Sequence, residues 1–310
     1  MRKDRANSDL GLVPVYTTRL GSAYQADALD VLRRLPANSV PLVLTSPPFA
    51  LRRKKAYGNV SPTEYVDWLW PFAEEIHRVI RADGSFVLEL GGSWNPGMGT
   101  RSLYQYEVIL RLSRLFHVAQ DFYWYNPSRL PTPAEWVTVR RTRVKDAVSL
   151  IWWLSKTENP QADNRRVLRP YSRSMQRLLK NGYKAAKRPS QHDISTNFGR
   201  DNGGAIPPNL LSIANTRSND DYLHRCRDAG IPIHPARFPR ALPEFFIRFL
   251  TEAGQLVLDP FAGSNVTGHV AEALGRPWMS IEMNADYVEG SRLRFPDAVA
   301  SFGRTGSLAS

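Results

Sequence analysis

The sequence contains a single cysteine, Cys226, among its 310 residues. One thiol cannot build a disulfide framework or a cysteine-rich zinc site, so we expect a protein of the reducing cytoplasm. No apolar stretch is long enough to cross a bilayer, and the polar residues 1–5 lead into no hydrophobic segment, which argues against export. Acidic residues are also few: 29 Asp and Glu against 41 Lys and Arg leave a net charge of +12, which favours a polyanionic partner.

Apolar strands alternate with amphipathic helices along most of the sequence. With 42% hydrophobic residues, the chain can bury a full α/β core, as one large domain that contains an insertion. Hydrophobic patterns and turn residues predict strands at 23–25, 40–44, 84–91, 120–125, 148–154, 257–258 and 277–281. They predict helices at 28–35, 63–80, 103–115, 242–251 and 266–274.

The strand at 40–44 runs directly into Thr45-Ser46-Pro47-Pro48-Phe49. This motif offers a hydroxyl oxygen, backbone carbonyls that no following N–H competes for, and a flat ring. Such groups suit the binding of an exocyclic amino group on a planar base. The alternative is an ordinary turn that ends a strand at two prolines.

A second motif follows the strand at 257–258 and includes Asp259, Gly263 and Gly268. It is typical of a nucleotide-binding turn between a strand and a helix, in which glycine lets a ligand approach the backbone. Glu282 ends the next strand, where an acidic residue holds a ribose diol in Rossmann-like units. The glycines do not complete the GxGxxG pattern, which disfavours a dinucleotide-dependent dehydrogenase.

Together the two motifs resemble those of the amino-methyltransferases of DNA. Serine before the two prolines is similar to the cytosine-N4 group, whereas the adenine-N6 group usually has Asp or Asn there. The catalytic motif precedes the cofactor motif, an order similar to that of the beta class of permuted enzymes. The resemblance extends from about residue 16 to residue 295. It implies an α/β, Rossmann-like S-adenosylmethionine-dependent methyltransferase fold, circularly permuted, with an inserted target-recognition region.

The resemblance also implies roles for individual residues. The catalytic residues would be Ser46, Pro47, Pro48 and Phe49. The residues that bind S-adenosylmethionine would be Asp27, Thr45, Glu89, Pro239, Asp259, Pro260, Phe261, Gly263, Ser264, Asn265, Glu282 and Met283. Asn265 departs from the family, since many members have glycine there. Two alternatives stay open: Asp27 could be only a helix cap, and Glu89 only a structural partner. No metal is expected.

Residues 158–231 differ in composition from the rest, because arginine and lysine crowd together with interleaved aromatic side chains. Members of the family have their target-recognition region between the two functional halves, so we expect these residues to contact DNA. The candidates are Arg165, Arg166, Arg169, Lys187 and Arg188, with Arg52, Arg53, Lys54 and Lys55 in a second basic loop. A solvated basic face is the alternative. The expected division is a flexible 1–14, a catalytic half at 15–157, recognition at 158–231, a cofactor half at 232–296 and a flexible tail at 297–310.

The activity implied is site-specific methylation of cytosine N4 in duplex DNA, by base flipping and direct in-line transfer, within a restriction–modification system. One of Trp152 and Trp153 could stack on the extruded base. Methylation at carbon 5 is disfavoured, because it needs a Pro-Cys nucleophile and Cys226 lies in His-Arg-Cys-Arg-Asp. Adenine-N6 methylation is the nearest alternative, and a catalytically silent DNA-binding protein is another. A homodimer and a cognate restriction endonuclease stay open as further partners.

Overall fold

The computed structural model describes residues 11–49, 61–95, 97–182, 199–218 and 220–300. Its described residues form one ten-stranded sheet in the order β10-β1-β2-β9-β8-β3-β4-β6-β5-β7. The strands are β1 (Tyr16–Thr17), β2 (Gly21–Gln25), β3 (Val40–Thr45), β4 (Ile80–Leu90), β5 (His117–Tyr125), β6 (Val148–Ser155), β7 (Leu210–Ser212), β8 (Val257–Asp259), β9 (Trp278–Glu282) and β10 (Val299–Ala300).

Strands β2, β9, β8, β3 and β4 are parallel neighbours. Strand β6 is antiparallel to both β4 and β5, so β5 runs in the direction of the central group, and β7 is parallel to β5. At the other end of the sheet, β1 is antiparallel to both β2 and β10. The carboxyl ends of the five central strands and of β5 therefore lie along one edge.

The described residues also form eight α-helices. They are α1 (Ala28–Arg34), α2 (Tyr65–Val79), α3 (Tyr104–Leu112), α4 (Arg173–Asn181), α5 (Asp221–Asp228), α6 (Ala241–Leu250), α7 (Val266–Ala273) and α8 (Ala285–Arg292). Helices α1, α2 and α3 pack their apolar sides on one face around Phe86 and Leu88. On the other face, α6 packs Phe246 against Phe122 and Phe249 against Trp153. Within the described residues, no helix combines the length and apolarity needed to span a membrane.

The direction of winding reverses between β8 and β3. From β8 the chain crosses through α7 to β9 on one side, and from β3 it crosses through α2 to β4 on the other. Ligands of open α/β sheets bind at the carboxyl ends of strands at such a reversal. The predicted Rossmann-like α/β fold is confirmed, with the Ser46 strand before the Asp259 strand. One boundary was wrong: Ile80, predicted as helical, begins β4.

The described chain divides into two compact units, residues 163–208 and the remainder. The smaller unit contains a short 3₁₀ turn (Asn164–Val167), α4, and paired backbone hydrogen bonds between Arg169 and Ala205. It is shorter than the predicted recognition region, because β7 and α5 belong to the larger unit. Strand β7 joins the sheet through backbone pairing with β5. It has three residues, which is too short for a hydrophobic pattern that would predict a strand.

Candidate active site

The two sequence motifs meet at the reversal point through a direct side-chain contact. The Thr45 hydroxyl donates to Asp259 Oδ1 at 2.6 Å, although 214 residues separate them. The Thr267 hydroxyl donates to Oδ2 at 2.6 Å, and the Phe261 N–H donates to Oδ1 at 3.1 Å. Asp259 therefore joins β3, β8 and the first turn of α7.

Asp259 and Thr45 direct their polar atoms into the protein. Asp259 is 2% exposed, and burial raises its pKa to about 6, although the hydrogen bonds from Thr267, Thr45 and Phe261 oppose this rise. Thr45 is also buried. Their predicted contacts with the cofactor gain no support from these side chains, whose donors and acceptors hold the two motifs together.

Ser46 and Glu89 form the pair nearest to catalytic chemistry. The Ser46 hydroxyl, half-buried at the end of β3, donates to Glu89 Oε2 at 2.6 Å. Burial raises the pKa of Glu89 to about 6, and the Ser46 and Ser149 hydroxyls and the charge of Arg129 limit the rise. Glu89 is only 4% exposed, and among the described residues its Oε1 has no hydrogen-bond partner. A buried acceptor of this kind is costly unless a ligand satisfies it.

Phe49 lies against the backbone at the end of β4. A Cβ built on Gly91 would stand 2.6 Å from Cε2 of the Phe49 ring, so only glycine fits beneath it. The Gly91 carbonyl accepts from the Tyr104 hydroxyl, and the Leu90 carbonyl accepts from Gln105 Nε2 at 2.5 Å. Helix α3 thus positions the surface on which Phe49 rests. Pro47 is buried and Pro48 is half-buried.

The second motif turns at Gly263, whose φ of +51° favours glycine. A Cβ at this position would stand 2.9 Å from His234 Nε2, so the ring of His234 packs directly on the turn. Burial lowers the pKa of His234 to about 4, which keeps the ring neutral near pH 7. Its Nδ1 is 2.6 Å from the Ala236 carbonyl. These contacts make the His234 loop a support for the turn.

Glu282 lies beside this turn at the carboxyl end of β9. Its Oε2 accepts from the Gly263 N–H at 2.9 Å and its Oε1 from the Asn284 N–H at 2.9 Å. Burial raises its pKa despite these bonds. Met283 follows it and is exposed. At the end of the neighbouring β2, Asp27 is exposed and its Oδ1 caps α1, as the alternative interpretation expected.

Asn265 is a buried helix cap. It has a left-handed backbone, φ +54°, which asparagine tolerates better than most residues. Its Oδ1 accepts from the Gly268 N–H at 3.0 Å and the Ser280 hydroxyl at 2.6 Å, and its Nδ2 donates to the Tyr16 hydroxyl at 2.9 Å. The side chain is 1% exposed and gives no support to a cofactor contact.

Ser264 is hydrogen-bonded to the buried Arg294, which the sequence patterns did not indicate as a site residue. Arg294 Nε donates to the Ser264 carbonyl at 2.6 Å, and its Nη1 contacts Asp220 Oδ2 at 2.5 Å. Its guanidinium carbon stands 4.1 Å from the centre of the Tyr222 ring. These partners lie 30 and 74 residues away in the chain, so no local pattern could predict the contacts.

The remaining predicted cofactor residues have structural neighbours. Phe261 packs its ring 5.1 Å from that of Phe72, on the face covered by α2. Pro260 is buried. Pro239 is also buried, and its carbonyl accepts from the Leu242 N–H at 2.9 Å as α6 begins.

The two adjacent tryptophans occupy opposite faces of β6. Trp153 donates to the Ser85 hydroxyl at 2.9 Å and packs on Phe249, which makes it structural. Trp152 packs on the α1–α3 face. Neither contact supports the hypothesis that one ring stacks on an extruded base.

Only part of the predicted DNA-binding set can be placed. Arg165 contacts Asp163 Oδ2 at 2.8 Å, and Arg166 lies 3.6 Å from the same oxygen. This pairing lowers the pKa of Asp163 to about 2. Arg169 is exposed. The predicted residues Arg52, Arg53, Lys54, Lys55, Lys187 and Arg188 lie outside the described residues.

Four acidic side chains lie at this edge of the sheet, although Asp259 directs its carboxylate into the protein. Asp27, Glu282, Asp259 and Glu89 follow or end four of the five parallel strands. Carboxylates accept hydrogen bonds from hydroxyl and amino groups and disfavour a phosphate. The residues present therefore fit a nucleoside with free hydroxyls and a positively charged group, which is the chemistry of S-adenosylmethionine.

Comparison with known proteins links this geometry to one family. The profile of a family described as DNA methylase matches residues 40–292. The chain is 51% identical over 294 residues to the Type II methyltransferase M.PvuII of Proteus hauseri, covering 93% of this chain and 88% of that protein.

Two further comparisons extend this likeness. The solved structure titled PvuII DNA methyltransferase (cytosine-N4-specific) superposes with a TM-score of 0.76 at 46% identity, covering 93% of this chain and 90% of that one. The DNA adenine methyltransferase YhdJ of Escherichia coli (strain K12) is 25% identical over 268 residues, covering 85% of this chain and 78% of its own length.

Proposed function

The chain belongs to the DNA methylase family, and we propose that it is a site-specific DNA cytosine-N4 methyltransferase that uses S-adenosylmethionine. The relative that is 51% identical and its solved structure, titled cytosine-N4-specific, support this substrate. The observation that most directly supports the chemistry is the hydrogen bond from the Ser46 hydroxyl to Glu89.

This hydrogen bond determines whether the Ser46 hydroxyl acts on the substrate as a donor or as an acceptor. Because its hydrogen is donated to Glu89, the lone pairs of Oγ are left to accept a hydrogen from an amino group. The Pro47 carbonyl would be a second acceptor through its lone pairs. Two acceptors on the amino hydrogens draw the nitrogen lone pair out of conjugation with the ring, which prepares it for in-line attack.

The cofactor supplies an electrophilic methyl group on a sulfonium ion. Glu282 would bind the ribose hydroxyls beside the Gly263 turn, whose N–H holds the Glu282 carboxylate. Glu282 already accepts two backbone N–H groups, which fix its carboxylate in place. Asp27, exposed at the end of β2, would accept from the adenine amino group.

The amino nitrogen must lose one proton when it gains a methyl group. That proton would pass to Ser46 Oγ while the hydroxyl hydrogen moves to Glu89 Oε2 along the 2.6 Å hydrogen bond. Burial raises the pKa of Glu89 to about 6, so the group is ionised near pH 7 yet basic enough to take the proton. No covalent intermediate on the protein is needed.

The target base has to leave the duplex to reach this pair. Ser46 is half-buried and Glu89 buried, and a stacked base cannot approach them. Phe49, seated on Gly91 and half-buried, would provide a flat surface for the extruded ring.

Adenine-N6 methylation is the second candidate, because the same acceptors fit either amino group and one relative is named as a DNA adenine methyltransferase. A silent DNA-binding protein is disfavoured by the intact Ser46–Glu89 pair. Action within a restriction–modification system is part of the proposal, as the relative's Type II name suggests. The cognate endonuclease, a homodimer and a cytoplasmic location stay predictions.

Nucleoside analysis tests the proposal. Plasmid DNA lacking prior methylation is incubated with the protein and labelled S-adenosylmethionine, digested, and separated by chromatography with mass detection. We expect label in N4-methyldeoxycytidine and none after Ser46→Ala. Label in N6-methyldeoxyadenosine would establish the second candidate instead, and no labelled nucleoside from folded protein would contradict both.

A further inference from the structure

The loop between β5 and β6, residues 126–147, leaves the sheet at the same edge as Ser46 and Glu89. Strand β5 runs in the direction of β3 and β4, so its carboxyl end lies at their carboxyl ends. Strand β6 begins there too, with Leu150 opposite Leu90 of β4. The loop belongs to the larger unit and contains none of the residues assigned so far to DNA binding.

Internal hydrogen bonds give this loop a defined shape. Buried Asn126 uses Oδ1 to accept from the Ser128 N–H at 3.2 Å, the Ser128 hydroxyl at 2.8 Å and the Asn215 N–H at 3.0 Å. Lys145 Nζ donates to the carbonyls of Pro127 at 3.3 Å and Arg129 at 3.1 Å. The loop therefore does not need to be ordered by a partner, which lowers the entropic cost of binding.

A second set of bonds holds the outer part of the loop. The Trp136 carbonyl accepts from the N–H groups of Thr142 at 2.9 Å and Arg143 at 3.2 Å. The Asp146 N–H donates to the Thr132 carbonyl at 2.9 Å. The first two bonds close the end of a short π-helical turn (Glu135–Val139), and the third joins the two arms of the loop.

The loop is basic. It contains five cations and two acids, a net charge of +3: Arg129, Arg140, Arg141, Arg143 and Lys145 against Glu135 and Asp146. Both acids are already paired, since Glu135 contacts Arg140 at 2.8 Å and Asp146 contacts Arg143 at 3.1 Å. Arg129 and Arg141 form no ion pair within the described ranges, although the charge of Arg129 acts on the carboxyl of Glu89.

Backbone conformation singles out Arg141. The residue is exposed and has φ +55°, a left-handed conformation that glycine or asparagine would adopt at lower cost. Arg141 follows Arg140, the C-cap of the π-helical turn, and a left-handed residue at this position lets the N–H groups of Thr142 and Arg143 reach the Trp136 carbonyl. Arg129 is half-buried, and its positive charge opposes the rise in the pKa of buried Glu89.

We propose that the β5–β6 loop is a second DNA-contacting surface, on which Arg129 and Arg141 bind backbone phosphates beside the extruded nucleotide. The inference rests on the proposed function, because the shared edge makes the loop a neighbour of the base-binding site. Arg129, nearer to Glu89, contacts the phosphate close to the target, and Arg141 one further along the strand. An acidic protein partner is the other ligand that such charge fits, and the test separates it from DNA.

Salt-dependent binding tests the proposal. Affinity for labelled duplex fragments of the plasmid substrate, which carry its target sequences, is measured by fluorescence anisotropy from about 50 to 200 mM salt. Arg141→Asn removes the charge with a residue suited to the left-handed backbone, and Arg129→Gln removes the inner charge. Each change should make the slope of log affinity against log salt less negative by about 0.9, the value for one lost phosphate contact.

Arg114→Ala is the matched control. Arg114 is exposed and follows α3 at the opposite edge of the sheet. Its removal should therefore leave the salt slope of DNA affinity unchanged. If both loop variants kept the wild-type slope while the wild-type protein methylated DNA, the inference would be overturned and the proposed function would stand. The basic loop would then bind an acidic protein or face solvent. Absence of duplex binding and methylation by the folded wild-type protein would reject both.

Discussion

The catalytic edge and the smaller unit use polar residues in opposite ways. At the catalytic edge, Asp259 and Glu89 are 2% and 4% exposed, and each accepts a hydroxyl hydrogen bond of 2.6 Å. In the smaller unit, among residues 163–182 and 199–208, only Gly204 is buried. Its side-chain hydrogen bonds lie at the surface, such as those from the Gly203 N–H at 2.8 Å and the Tyr171 hydroxyl at 3.0 Å to Asp201 Oδ1.

The tasks that we propose for the two regions explain this difference. Methyl transfer requires a fixed geometry, because a small displacement of the reacting atoms costs rate, and buried hydrogen bonds supply that geometry. Contact with DNA requires accessible donors that reach phosphates and base edges. Substitutions at the catalytic edge should therefore change rate or stability, whereas those in the smaller unit should change DNA affinity.

The largest effect should come from Ser46→Ala. This change removes an acceptor that acts on the amino group, so turnover should fall by about 100-fold or more, as with a lost oxyanion donor. DNA affinity by anisotropy should stay within about twofold, since no phosphate contact is lost. The control, Ser113→Ala, removes an exposed hydroxyl that bonds only the Leu110 carbonyl, and should leave turnover unchanged. Equal turnover in both variants would exclude Ser46 from the chemistry.

Glu282→Ala should give the next largest effect, on cofactor binding. The variant loses the predicted ribose acceptor and the bond from the Gly263 N–H, each a charge-assisted hydrogen bond of about 1.5–3 kcal/mol. Calorimetry should show at least about a tenfold weaker affinity for S-adenosylmethionine. DNA affinity without cofactor should match that of the wild type. A normal cofactor affinity in the variant would refute the assignment.

The pH dependence of turnover tests the state of Glu89. Its carboxyl must be ionised to accept the proton from Ser46, and burial raises its pKa to about 6. Turnover should thus fall about tenfold per unit as the pH drops below 6, because the protonated form accumulates there. Glu89→Gln keeps an oxygen for the Ser46 hydroxyl but cannot titrate, so residual turnover should lose this acid limb. If the limb persisted in the variant, another group, such as Asp259, would be responsible.

A smaller effect, on stability, should distinguish two asparagines. Asn265→Gly keeps the left-handed backbone but removes the acceptor of the Gly268 N–H and of the Ser280 hydroxyl, at about 1–3 kcal/mol. The Tyr16 hydroxyl loses one donor and keeps its hydrogen bond to Ser291 at 2.7 Å. Asn202→Gly in the smaller unit loses only a bond from an exposed side chain to the Arg200 carbonyl, and should cost about 0.5 kcal/mol or less. Denaturant unfolding measures both. Equal costs would contradict a structural role for Asn265.

Substitutions in the smaller unit should have the smallest effect on turnover and should change DNA affinity instead. Arg169→Ala removes an exposed cation with no ion pair in the described ranges, so the salt slope of DNA affinity should become less negative by about 0.9 if it contacts one phosphate. Arg165→Ala should change the slope less, because Asp163 already pairs with Arg165. Wild-type slopes in both variants would make this surface a solvated face.

The sequence patterns predicted those features of the fold and the site that depend on residues close together in the chain. The end of β3 at Ser46 and the turn at Gly263 follow from apolar runs that stop at proline or glycine, so both motifs lie where they were expected. The fold class followed from the same pattern. Their arrival at one edge follows from the parallel direction of β3, β8 and β9.

Other features depend on residues far away in the chain. Asn265 was interpreted as a cofactor contact, yet the Tyr16 hydroxyl, 249 residues distant, holds its side chain inside the protein. Glu89 was placed near the active site, but its bond to Ser46 needed the pairing of β3 with β4. The smaller compact unit is shorter than residues 158–231 because β7 pairs with β5 in the sheet, and target recognition by residues 158–231 stays a prediction.

The division of labour between the two regions can be tested in a single-turnover experiment at saturating DNA and S-adenosylmethionine. It compares Ser46→Ala with the combined Arg169→Ala, Arg173→Ala and Arg177→Ala variant, in which three exposed cations of the smaller unit are removed. Saturation masks weaker binding, so the rate of the chemical step alone is compared. We expect a loss of about 100-fold or more for Ser46→Ala and a change of less than about twofold for the triple variant. Comparable losses in the two variants would contradict the account.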